Sequence, residues 1–255
     1  MEHVHTRLEN GVLSLILARP EKKNALTNAM YGALADGLAQ AGADPAVRCV
    51  LITSQGDAFT AGNDLGDFAA VASGALVRSE MNVHRFLGQL ALLDKPIVAA
   101  VPGLAVGVGA TMLLHCDLVF LADTATLSAP FVDLALVPEA ASSALLPARI
   151  GHVRAFAMFA LGERLDAQTA LSWGLANRVV AGSELQAVAL AACAALVAKP
   201  LGALVATKRL MREAEAITAR MAVETDVFTE RLASPEAREA FTAFAERRKP
   251  DFGKV

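Results

Sequence analysis

Two loops that contain glycine follow short apolar runs and have the composition of a site that binds a carbonyl oxygen. The first is AFTAGNDL, Ala58 to Leu65, and the second is VPGLAVGVG, Val101 to Gly109. Glycine lets the backbone approach a ligand closely, and the first N–H groups of a helix have no partner within it. A pair of such donors can stabilise the negative charge that develops on an oxygen during a reaction. The same pattern is equally typical of two glycine turns that only shape a core.

Neither a dinucleotide cofactor nor a metal ion is favoured by the motifs. Gly107 and Gly109 follow an apolar run, but the third glycine of a dinucleotide-binding motif would fall on Met112. The three cysteines lie far apart, and none of the five histidines has a partner at the spacing of a metal site. The net charge of -3 gives no basic surface for nucleic acid.

The composition predicts a compact soluble protein. Hydrophobic residues make up 55% and charged residues 19% of the 255 residues, which excludes disorder and allows a sizeable core. The charged N-terminus and the cysteine pattern favour the cytoplasm. The stretch from Pro96 to Ala122 is long enough to span a bilayer, but Pro102-Gly103 and His115-Cys116-Asp117 interrupt it. We therefore expect a strand, a turn, a buried helix and a second strand there, not a membrane span.

The order of elements predicts an α/β fold. Residues 4–17 alternate around Asn10-Gly11, a pair typical of a hairpin turn, and Thr27 can cap a helix. Further strands are predicted at 47–53, 97–101, 118–121, 125–128 and 175–180, a glycine-rich loop at 55–66, and helices at 75–92, 139–149, 153–161 and 167–173. Strands that alternate with helices favour parallel sheets covered by helices. We place a boundary near Lys199, with a core at 1–199 and a helical region at 200–255 that docks against another subunit.

Four segments resemble, in order and spacing, the crotonase or enoyl-CoA hydratase/isomerase family. They are ARPEKKNAL from Ala18, AFTAGNDL from Ala58, KPIVAAVPGLAVGVG from Lys95 and LALVPEAASSALLPARIG from Leu134. The final AFTAFAERRKPDF resembles the family's C-terminal helix, so the resemblance covers nearly the whole chain. It implies a ClpP/crotonase spiral of strand-strand-helix turns with a C-terminal helical trimerisation region. It also implies a homotrimer, or a hexamer built as a dimer of trimers.

The resemblance implies a site for an acyl-coenzyme A thioester, in which coenzyme A is part of the substrate and no separate cofactor is needed. The oxyanion donors would be the backbone N–H groups of Asn63 and Val108. The two glutamates of the family's hydratases would fall on Thr111 and Phe131, which cannot act as general bases near neutral pH. Glu139 matches the single base of the peroxisomal-type delta-3, delta-2 enoyl-CoA isomerases. From the residues alone, Glu139 is also a typical acid at a helix start.

Further positions match the places where the family contacts coenzyme A. Arg19, Lys22 and Lys23 would lie beside the phosphates, although a solvated surface is the usual state of such side chains. The backbone around Ala25, Ala61, Asp64 and Leu65 would contact the adenine and pantetheine parts. Phe244 and Arg247 match positions that reach the nucleotide of a neighbouring subunit.

The leading expectation is an isomerase that shifts the double bond of a 3-enoyl-CoA to give the 2-enoyl-CoA during beta-oxidation of fatty acids. One base and an oxyanion hole suffice for this 1,3-proton shift. The alternatives are an enoyl-CoA hydratase, another crotonase reaction such as thioester hydrolysis, and a non-catalytic acyl-CoA-binding protein. An isomerase needs the carboxylate of Glu139, whereas a binding protein does not.

Overall fold

A six-stranded sheet forms the centre of the computed structural model, which describes residues 3–64, 66 and 81–255. Its strands have the order β1-β2-β3-β5-β7-β10. They are β1 (Val4–Glu9), β2 (Val12–Leu17), β3 (Cys49–Ser54), β5 (Ile97–Val101), β7 (Leu118–Ala122) and β10 (Arg178–Val180). Only β1 is antiparallel to its neighbour, and the other pairs are parallel. The predicted hairpin is confirmed, with Asn10 and Gly11 both at positive φ (48° and 79°).

A second sheet of short strands carries the glycine loops. Its order is β4 (Ala58–Thr60), β6 (Leu104–Val106), β8 (Thr126–Ser128) and β9 (Leu165–Asp166), and β4, β6 and β8 are parallel. The prediction of a loop over residues 55–66 was therefore wrong for β4. Pro96 to Ala122 forms β5, β6, a short helix and β7, which confirms the expected breaks in this apolar stretch.

Ten helices are described. They are α1 (Asn28–Ala43), α2 (Asn82–Leu92), α3 (Val108–Thr111), α4 (Ser142–Ile150), α5 (His152–Ala160), α6 (Ala167–Ser172), α7 (Leu185–Val197), α8 (Leu201–Met211), α9 (Ala214–Leu232) and α10 (Pro235–Ala245). Thr27 caps α1 as predicted, because its side chain accepts a hydrogen bond from Met30 N at 3.3 Å. Residues 75–80 of the helix predicted before Leu92 lie outside the described residues.

Both faces of the central strands of the six-stranded sheet are buried. Val50 and Ile52 of β3 point into the main core with α1, whereas Cys49 and Leu51 pack on the other face against α7. This explains why the strands read as continuous apolar runs, since a parallel sheet is covered on both sides. Within the described part of the chain, no single helix is long and apolar enough to cross a bilayer; α7 and α8 meet that test only together, across a bend of 106°.

The helices after residue 200 pack on the preceding part of the same chain. Ile217 of α9 forms a small buried cluster with Ala91 of α2 and Ala141 beside α4. The predicted helical character of 200–255 is confirmed, and α9 also forms one wall of an apolar cavity of about 280 Å³.

Candidate active site

The register of the second sheet brings the two glycine loops side by side. β4 and β6 are parallel neighbours with Ala58 opposite Leu104, so the loops that follow them leave from the same edge. Gly62 (φ 92°) lies so close to the second loop that a Cβ there would be 3.0 Å from the Val106 carbonyl oxygen. A Cβ on Gly109 would be 2.5 Å from Thr60 Cγ2. The contact between the loops therefore requires glycine at both positions. This agrees with the interpretation of the loops as glycine turns that shape a core.

Two backbone donors on these loops have no acceptor among the described residues. Within the described residues, no hydrogen bond uses the N–H of Asn63 or of Val108. Their neighbours are engaged: Asp64 N donates to Leu26 O at 2.9 Å, and Gly107 N donates to Ser128 O at 2.9 Å. Val108 is the first residue of α3, where an N–H group has no partner inside the helix. The two loops therefore present the kind of donor pair that binds one oxygen.

Glu139 stands on the segment that connects a short 3-10 turn (Val132–Leu134) to α4. Its side chain is half-buried, and its Oε1 accepts a hydrogen bond from Thr111 Oγ1 at 2.6 Å. Thr111 occupies the position that matches a hydratase glutamate, so in this chain that position orients a carboxylate instead of supplying one. Phe131, at the other position, is buried and packs against Phe159 with ring centroids 6.0 Å apart.

The helix predicted to begin at Glu139 begins at Ser142. Glu139 is also not the acid that accepts hydrogen bonds from the backbone at the start of α4. The backbone N–H groups of Ala141 and Ser143 donate to Glu224 of α9, at 2.6 and 2.9 Å. Burial raises the pKa of the Glu224 carboxyl, and these hydrogen bonds oppose the rise. Sequence reasoning missed Glu224. A signal was present, because Glu224 shares a helical face with the apolar Ile217, Met221 and Phe228.

Between Glu139 and α4 the chain makes a strained turn. Ala140 (φ 62°) and Ala141 (φ 55°) are both left-handed, which costs a residue with a Cβ about 1–2 kcal/mol. The Ala140 carbonyl accepts a hydrogen bond from His115 Nε2 at 2.8 Å. Burial, with the nearby Arg212 cation, lowers the pKa of His115 to about 3, so its ring is neutral. Arg212 can only donate, which assigns Nδ1 as the acceptor and Nε2–H as the donor.

Glu139 and Asn63 line a cavity of about 280 Å³. Most of its wall comes from α2 and α9 and is apolar, with Val83, Leu87, Gly88, Met221, Phe228 and Leu232 among its residues. The Asn63 side chain accepts a hydrogen bond from the Tyr31 hydroxyl, another residue of the wall. Val108 is buried and is not among the described lining residues. The cavity can hold an apolar chain beside a carboxylate.

Five of the positions matched to coenzyme A contacts lie together at one corner. Arg19 donates to Asp64 Oδ2 at 2.7 Å and to the Ala25 carbonyl at 3.0 Å, and Ala61 N donates to Lys23 O at 2.9 Å. Arg19 and Asp64 are mostly buried, so this ion pair also ties the two segments together.

The other matched positions are dispersed. Lys22 has an exposed side chain, as does Lys23 of the corner, and Leu65 lies outside the described residues. Phe244 and Arg247 are exposed at the end of α10, and in the described part of the chain no hydrogen bond links their side chains to the corner formed by Arg19. Among the residues described, no group of three or more His, Cys, Asp or Glu side chains could hold a metal ion.

Residues 7–254 match the profile of the family described as enoyl-CoA hydratase/isomerase. The chain is 35% identical to the 1,2-epoxyphenylacetyl-CoA isomerase of Escherichia coli, over 99% of this chain and 98% of that protein. It is 32% identical to the human enoyl-CoA delta isomerase 2, over 94% of this chain and 62% of that longer protein. A crystal structure of an enoyl-CoA hydratase/isomerase from Pseudoalteromonas atlantica superposes with a TM-score of 0.93, at 43% identity, over 98% of this chain and 100% of that one. Pseudomonas aeruginosa OdaA superposes with a TM-score of 0.91, also at 43% identity, over 96% of this chain and 99% of that one.

Proposed function

Because the chain belongs to the enoyl-CoA hydratase/isomerase family, we propose that it converts a 3-enoyl-CoA into the conjugated 2-enoyl-CoA. The observation that carries this proposal is the position of Glu139, a carboxylate on the wall of an apolar cavity that Asn63 also lines. Asp64 is the other described acid of that wall, and Arg19 neutralises it. We therefore assign the proton transfer to Glu139.

The reaction needs one base and one oxyanion site. The thioester oxygen accepts hydrogen bonds from the N–H groups of Asn63 and Val108, which stabilise the dienolate that forms when Glu139 removes a proton from C2. The same carboxyl then returns the proton to C4, so the double bond moves from C3–C4 to C2–C3 with no net gain or loss of atoms. The Thr111 hydrogen bond limits rotation of the carboxylate during both transfers.

Coenzyme A enters as part of the substrate. We place its phosphates near Lys22 and Lys23, with Arg19, Ala25, Ala61 and Asp64 shaping the adjoining surface. Phe244 and Arg247 contact the nucleotide from a neighbouring subunit of a trimer or hexamer. The exposed apolar side chains of Leu210 (90%) and Met211 (82%) on α8 support such an assembly. We assign the protein to beta-oxidation in the cytoplasm.

Hydration is the reaction that this site supports least. Adding water needs one group to position the water and another to manage the proton, and Thr111 and Phe131 occupy the positions of the two hydratase acids. The E. coli relative supports a second candidate substrate, 1,2-epoxyphenylacetyl-CoA, whose isomerisation likewise adds no water.

The test compares three substrates at matched concentrations. We expect 3-hexenoyl-CoA to give the conjugated thioester, detected by its ultraviolet absorption, and crotonyl-CoA to be hydrated far more slowly. Faster hydration than isomerisation would contradict the proposal. Turnover of the epoxide with none of 3-hexenoyl-CoA would move the assignment to the second candidate.

A further inference from the structure

The turn that carries Glu139 is held by side chains that do not themselves reach the cavity. Neither His115 nor Glu224 is among the described residues that line it, yet both bind the backbone directly after Glu139. His115 donates to the Ala140 carbonyl, and Glu224 accepts from Ala141 and Ser143. Three polar backbone groups in and directly after a strained turn, the Ala140 carbonyl and the N–H groups of Ala141 and Ser143, thus have buried side-chain partners.

These partners depend on the C-terminal helices. Glu224 belongs to α9, and Arg212, at the end of α8, fixes the tautomer of His115 by donating to its Nδ1. Arg212 also donates to the His115 carbonyl at 3.1 Å. A left-handed pair of alanines persists only where the surroundings determine it. Here those surroundings include Glu224, which lies more than 80 residues further along the chain.

Resting on the proposed function, we infer that Glu224 and His115 are positioning residues for Glu139. By holding the turn at Ala140 and Ala141, they keep the carboxylate at the place where it hydrogen-bonds Thr111 and faces the acyl cavity. Without them the turn relaxes toward right-handed backbone, and the carboxylate moves. A displacement of about 1 Å at a reacting group can lower a rate about a hundredfold.

Glu224→Gln is the first test, because the amide keeps the volume but has one acceptor oxygen for two N–H donors. We expect kcat for 3-hexenoyl-CoA to fall about tenfold to a hundredfold. The dissociation constant for hexanoyl-CoA, by calorimetry, should stay near the wild-type value. Exchange of the C2 protons of hexanoyl-CoA with deuterated solvent should slow in parallel with kcat. Asp226→Asn, an exposed acid on the same helix, is the matched control and should behave as the wild type.

His115 provides an independent test from the other side of the turn. His115→Leu removes the donor to Ala140, whereas His115→Gln keeps an amide N–H of similar reach. We expect a larger loss of kcat in the leucine variant than in the glutamine variant, with unchanged affinity for hexanoyl-CoA. If Glu224→Gln does not fold, the comparison of the two His115 variants still tests whether the turn positions Glu139.

Two outcomes would overturn the inference. One is wild-type kcat in folded Glu224→Gln or His115→Leu. The other is a loss of activity that, in the Glu224 and the His115 variants alike, only follows the loss of folded protein, measured by circular dichroism. If the wild type exchanged C2 protons but formed no conjugated product, only the proposed isomerase reaction would be wrong. The exchange rate in the Glu224 variant would still test whether Glu224 positions Glu139. A wild type without either activity would contradict both.

Discussion

The two halves of the candidate site are built in different ways. The donor pair consists of backbone N–H groups placed by neighbouring parallel strands, β4 and β6, so the side chains of Asn63 and Val108 need not be polar. The proton-transfer half consists of one carboxylate on an irregular segment, placed by Thr111, His115 and Glu224. We therefore expect the donor half to lose activity through backbone strain and the carboxylate half through the loss of single hydrogen bonds.

Among variants of the donor half, Gly62→Ala is expected to cause the largest loss of kcat. The methyl group meets the Val106 carbonyl at 3.0 Å and sits on a backbone with φ 92°, so the loop must shift and carry the Asn63 N–H with it. We expect kcat to fall about 10²–10³-fold, as for loss of one oxyanion donor. Gly174→Ala is the control, since Gly174 has φ 81° but no described residue within 4 Å of a Cβ. It should lower the melting temperature with kcat retained; equal losses of kcat would contradict the role of the first loop.

A smaller effect is expected from Thr111→Val, which removes one hydrogen bond from the carboxylate half without changing its shape. A hydrogen bond to a charged group contributes about 1.5 kcal/mol or more, which corresponds to about a tenfold loss of kcat. Thr111→Ser keeps the hydroxyl and should restore most of the rate. If valine and serine variants had equal kcat, Thr111 would have no part in orienting Glu139.

The smallest effect on the reaction is expected at the part of the cavity wall that α2 forms. Gly88 lies inside α2 and lines the cavity, and no described residue comes within 4 Å of a Cβ built there. Gly88→Ala should stabilise the protein by up to about 1 kcal/mol through helix propensity. Gly88→Leu should raise KM for decenoyl-CoA much more than for butenoyl-CoA, because the side chain fills the acyl cavity. An equal change in KM for both substrates would indicate that the acyl group binds outside this cavity.

The sequence predicts the large sheet better than the elements that build either half of the candidate site. Periodicity and turn residues locate the hairpin, the cap at Thr27 and most strands of the large sheet, because these depend on neighbours in sequence. The strands β4, β6 and β9 have only two or three residues, too few to show alternation. The start of α4 was placed three residues early, because the turn at Ala140 and Ala141 is stabilised by Glu224, more than 80 residues away. The residues around Glu139 in the sequence therefore give no indication of that contact.

In the proposed reaction Glu139 moves the proton, and the variant Glu139→Gln tests this role. The amide keeps the size and can still accept from Thr111, but it cannot act as a base. We expect calorimetry to give a nearly unchanged affinity for hexanoyl-CoA. Isomerase turnover should fall by about 10⁴-fold or more, at the upper end for a general base, and exchange of the C2 protons with deuterated solvent should stop. Retention of more than about a tenth of wild-type turnover would contradict this role.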